Sequence, residues 1–221
     1  MSVTIEDEID RAARLGQLLE DLVVNKAQQG ALVVRTENDD LLVAYWSLTF
    51  DYGKGIDCLL RYKFHSPAFA LARPLVEALV RAHLVLCGSV DEIKRIRQDR
   101  YKVSYEKDGQ RIDQYLGSSP LFENLLKDSR DLLHSLTHSG KAQLWRRFDG
   151  DEVGSGYTDG EVWGLLGTVS SAVFMMTCLI ANHFGLEEQV HVATAAYMEF
   201  AKERESVKAT FVPAGCATSR F

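Results

Sequence analysis

Trp163-Gly-Leu-Leu-Gly-Thr-Val-Ser-Ser-Ala-Val-Phe-Met-Met-Thr-Cys-Leu-Ile-Ala181 carries no charged residue, and its reading decides the fold. A helical run of that length nearly crosses a bilayer, whose hydrocarbon core takes about 20 apolar residues. Gly164, Gly167, Thr168, Ser170, Ser171 and Thr177 make it far more polar than a leucine-rich span, and no cluster of Lys or Arg flanks it to fix an orientation. The expectation is a central helix buried on all sides in a bundle, with no membrane span.

Working outward, the Gly- and Asp-rich segment 149–160 reads as a loop before this helix, which is expected over about 159–184. A second long helix follows over about 186–206, then a flexible tail at 207–221. At the other end, Thr4 is a candidate N-cap with Asp7 three positions on. Ile5, Ile9, Ala12, Leu15, Leu19 and Leu22 then recur at helical spacing. A further apolar stretch from about Asp40 to Phe64 is interrupted by Gly53 and Gly55, which are expected to kink or split it. Ser66-Pro67 and Ser119-Pro120 each place a cap residue before a proline, a helix-start device. Pro74 is expected to bend the first of these two helices or to mark its second turn. Ser89 and Glu92 have capping-box spacing ahead of a basic run from Lys94 to Lys102. No fixed-period repeat appears, and no alternation long enough for an ordinary strand. The reading is an all-α, single-domain helical bundle of about seven to eight helices, occupying residues 1–206.

The 221 residues carry a formal net charge of −6 with a pI near 5.5, which excludes a protein that coats nucleic acid through its whole surface. Cys58, Cys87, Cys178 and Cys216 are scattered without a C-x-x-C pair, so neither a zinc ribbon nor a disulfide framework is indicated. The first residues are acidic where an export signal would be basic and then apolar, so a cytoplasmic location is expected.

Two polar constellations stand out. Arg130, His134 and His138 recur every four residues and end at Gly140; on a helix they stack a guanidinium and two imidazoles along one face. Such an array can hold a phosphate, move protons, or give a metal two ligands. The metal reading would need a third ligand from Glu77, His65 or His183. Ser135 also stands where the metalloprotease motif has a glutamate, so no metal and no cofactor is assigned. The second constellation is Arg73, Glu77 and Arg81, one polar stripe of alternating sign on an otherwise apolar helix. Charges on a mostly buried helix must be paired or face a cavity, which leaves an ion-pair network and a functional site as the two readings. The basic run at 94–102 reads as a solvated face in preference to an RNA contact surface.

Arg73-Pro-Leu-Val-Glu77-Ala-Leu-Val-Arg81, taken with Leu-His134-Ser-Leu-Thr-His138-Ser-Gly140 and with Gln143-Leu-Trp-Arg146-Arg147, resembles a group of bacterial all-helical proteins. That group is similar in organisation to abortive-infection proteins and, more distantly, to the HEPN superfamily of helical ribonucleases and toxins. The resemblance spans residues 60–185. It implies a role in phage defence or a toxin–antitoxin pair, a homodimer, and metal-independent cleavage of RNA. His134 and His138 would then carry protons, Arg130 would stabilise charge on the phosphate, and Arg73, Glu77, Arg146 and Arg147 would line the substrate site. Arg130 and His134 leave three residues between them, and Arg130 and His138 seven, on either side of the superfamily's usual separation. The alternative is a non-catalytic binding or sensor module for a small anion, a nucleotide or a protein partner such as a cognate antitoxin. In either case Arg73, Glu77, Arg130, His134 and His138 are expected to converge on one polar pocket.

Overall fold

The computed structural model describes residues 3–117, 120, 122–124, 126, 148–149, 152–153 and 156–212. Among them are seven helices: α1 (Ile5–Gln28), α2 (Glu37–Arg61), α3 (His65–Cys87), α4 (Val90–Arg97), α5 (Tyr105–Leu116), α6 (Asp159–His183) and α7 (Glu187–Phe211). Strands β1 (Phe148–Asp149) and β2 (Glu152–Val153) form one antiparallel pair, with Phe148 opposite Val153. The protein is an all-α, single-domain bundle.

The uncharged run lies on α6, which packs against α1, α2, α3 and α7. Its buried residues include Val162, Leu165, Leu166, Val169, Ala172, Val173, Met176, Leu179 and Ile180, which spread around the helix instead of forming one stripe. A helix that meets protein on several sides needs no polar face, and that accounts for the missing charges. Its small residues let neighbours come close. Gly53 of α2 is buried against it, and a Cβ there would be in van der Waals contact, 3.4 Å, with Cγ1 of both Val169 and Val173.

Gly53 therefore does not break α2, as its sequence led us to expect. The helix runs unbroken from Glu37 to Arg61, and Gly55 likewise sits where a Cβ would lie 3.3 Å from Leu71 Cδ1. Packing of α2 against α3 and α6 outweighs the propensity cost of about 1 kcal/mol per glycine and keeps the helix whole. The start of α3 also differs. Phe64 is its N-cap and makes no side-chain capping bond, so Ser66 and Pro67 fall inside the first turn. The first turn's N–H groups have no intrahelical partner, so proline loses nothing there. The helix continues through Pro74.

Four starts follow the reciprocal capping pattern in which side chain and backbone satisfy each other: Thr4 with Asp7, Thr36 with Asp39, Ser89 with Glu92, and Thr158 with Glu161. α4 stops at Arg97, short of the expected basic helix to Lys102, and α7 continues to Phe211, whose side chain is buried, five residues past the expected end at 206.

Candidate functional site

On α3 the four-residue step does bring its three charged groups together. Arg73 Nε donates to Glu77 Oε1 at 2.7 Å, and Arg81 Nη2 donates to Glu77 Oε2 at 3.0 Å. Each carboxylate oxygen thus takes one guanidinium. Tyr105 of α5 adds its hydroxyl at 3.4 Å from Glu77 Oε1. These side chains are only 15–24% exposed, because Ala72, Leu75, Val76, Ala78, Leu79 and Val80 commit the neighbouring directions of α3 to the core.

The electrostatics follow from that geometry. The bond to Glu77 holds Arg73 still more firmly protonated than a guanidinium ordinarily is. Burial, then the Glu77 charge, pushes the Tyr105 hydroxyl up, and burial does the same to Tyr45, the α2 residue that feels Arg81. Both tyrosines stay neutral at physiological pH. Two guanidiniums thus share the Glu77 carboxylate, with two neutral phenols near it.

Arg130, His134, His138, Arg146 and Arg147 lie outside the described residues, so their convergence with Arg73 and Glu77 stands as an expectation. Of the other metal-ligand candidates, His183 Nε2 lies 2.7 Å from Asp39 Oδ1, tying the end of α6 to the cap of α2. That contact, with backbone bonds from Arg35 and Thr36, holds the Asp39 carboxyl well below the carboxylate range. No group of three or more His, Cys, Asp and Glu placed to hold a metal exists among the described residues.

No family model, curated protein or solved structure matches this chain. The basic segment offers less than its sequence suggests: Arg97 is engaged with Glu37 and, at 3.0 Å, with Asn38 Oδ1, while the Arg95 guanidinium lies 5.4 Å from the Tyr101 ring centre. Tyr105 and Tyr45 were not legible as members of the α3 cluster, because neither shares a helix with it and no spacing rule links them.

Proposed function

We propose that the protein is a helical binding module for a phosphate-bearing ligand, received at the Arg73–Glu77–Arg81 stripe of α3. The observation that supports it is the sharing of one carboxylate by two part-buried guanidiniums, which sets two arginines side by side on one face of α3. Arginine's planar fork suits a phosphate oxygen pair, and partial burial strengthens the attraction over that of an open surface. Glu77 acts as the organiser: it fixes the two side chains before the ligand arrives, which lowers the ordering cost of binding.

Calorimetric titration with pyrophosphate, a nucleoside monophosphate and a short RNA tests this reading. All three, sharing the phosphate group, are expected to bind the parent protein, and Arg81→Gln is expected to weaken each by about tenfold or more, the worth of one charge-assisted bond. Equal affinity in the variant would end the proposal. The ribonuclease activity implied by the His134–His138 motif is tested on the same samples: cleavage of labelled RNA that survives EDTA and disappears in His138→Ala would make the module an enzyme.

A further inference from the structure

A separate cavity of about 390 Å³ lies on another side of the bundle, walled by α1, α2 and α6. Its size falls within the range of about 300–1,000 Å³ typical of small-molecule sites. Phe50, Val169 and Val173 supply apolar wall, and two polar groups interrupt it. Asp57 Oδ1 and Ser170 Oγ are both buried from solvent, and neither has a hydrogen-bond partner. Ser170 is 2% exposed. Unpartnered buried polar atoms are rare in folded proteins because each costs about 1–3 kcal/mol, and two in residues that line one cavity point to a ligand that satisfies them once their side chains turn toward it.

The charges around the cavity set the sign of that ligand. From α2, Lys54 is held by Glu20 of α1 at 2.6 Å, and Arg61 is held by Asp10 of α1. Gln17 of α1 gives its amide to Asp21 at 2.9 Å. α6 brings no charged side chain between Trp163 and Ala181. The cations at the rim are thus already neutralised, and the uncommitted ionisable group is an acid. Burial raises the Asp57 carboxyl to about 7, with Arg61 opposing the rise.

We infer that this cavity binds a small amphipathic amine, its ammonium group paired with the Asp57 carboxylate, its apolar body on Phe50, Val169 and Val173, and the Ser170 hydroxyl open to a second polar atom. The ammonium gives the half-buried carboxylate a hydrogen-bonded counter-charge and so offsets the cost of its desolvation. Gly16 borders the open space of the cavity: a Cβ built there meets nothing within 4 Å.

The test uses the full chain at pH 8 and four probes, benzylamine, phenethylamine, cyclohexylamine and hexylamine, against benzyl alcohol and phenylacetate. At least one amine is expected to raise the melting temperature and to bind by calorimetry, with the alcohol weaker and the acid silent. Asp57→Asn is expected to weaken that amine by about ten- to a hundredfold, the range for losing a charged hydrogen bond. Gly16→Leu, which fills the space without touching the carboxyl, is expected to abolish binding while the far-ultraviolet circular dichroism stays that of the parent. Binding also pulls the Asp57 carboxyl titration, followed by carbon-13 NMR, to lower pH. Failure of all four amines, equal binding of the alcohol, or undiminished binding in both variants would overturn the inference.

Discussion

Arg204 and Asp57 both bring a charge against α6, and they meet opposite conditions. Arg204, on α7, is 7% exposed and answered on every side: Nη1 lies 3.4 Å from Glu8 Oε2 of α1, Nη2 donates to the Trp163 carbonyl at 2.6 Å, and the guanidinium lies 4.0 Å from the Trp163 ring centre. Glu8 is fully buried, and its other oxygen takes Arg11 Nη1 at 2.6 Å. Gly167 makes room, since a Cβ there would come within 3.0 Å of Arg204 Nη2. Asp57 Oδ1 has nothing comparable. The uncharged run of α6 meets a charge on either side, but only Arg204 is joined to its counter-charge by a hydrogen bond, while Asp57 feels Arg61 at a distance. One region has its polar groups paired; the other leaves a carboxylate oxygen without a hydrogen-bond partner.

Breaking the paired side carries the largest expected effect. Glu8→Gln leaves Arg204 buried without its counter-charge, and removing one partner of a buried pair costs about 3–5 kcal/mol. Urea unfolding should show that loss. Glu8→Gln combined with Arg204→Met should recover part of it, because the second change removes the stranded cation; a double loss equal to the sum of the single losses would mean that the two residues do not act as a pair.

A smaller effect is expected at His83 of α3, which is buried with Nδ1 2.9 Å from the Leu79 carbonyl and its ring 4.8 Å from that of Phe122. Desolvation pushes its pKa from the ordinary 6.5 down to about 4. The unfolded chain therefore takes up the proton first, so His83's contribution is fully present above pH 6.5 and is lost as the pH falls toward about 4. The loss is roughly 3 kcal/mol in all. His83→Leu should remove this acid-side slope from the melting temperature.

These residues show where sequence reading reaches and where it stops. Starts such as Thr4–Asp7 and Ser89–Glu92 were legible because capping is local chemistry within four residues. The Arg73–Glu77–Arg81 contacts were legible because helical geometry alone aligns a four-residue step. Gly53 was misread for the complementary reason: its role lies in the approach of Val169 and Val173, which no neighbour in sequence reveals. Glu8 and Arg204 stand 196 positions apart. The Asp57–Ser170 cavity was hidden more deeply still, since being without a partner is a property of three packed helices and leaves no pattern along any one of them.

Asp57 gives the smallest stability effect and the sharpest form of the comparison. Its folded pKa is raised from 3.8 to about 7, so the folded chain holds this proton more tightly than the unfolded chain. Its contribution is complete below pH 3.8 and is lost as the pH rises through about 7. Asp57→Asn removes that loss, and part of the side chain stays near the solvent edge, so the expected gain at pH 8 is about 1–2 kcal/mol. Between about pH 4.5 and 6.5 the two buried groups pull in opposite directions, His83 favouring the higher pH and Asp57 the lower. Asp39 and Glu92, both held below the carboxylate range by their caps and partners, act mainly below that window. The parent protein should therefore have a shallower stability profile there than Asp57→Asn, in which the rise from His83, with a share from the partly buried His65, is no longer opposed. His83→Leu should shift the balance toward the fall from Asp57. An equally steep profile in the parent and in Asp57→Asn would mean that the carboxyl is satisfied in the folded chain, and the contrast with Arg204 would be lost.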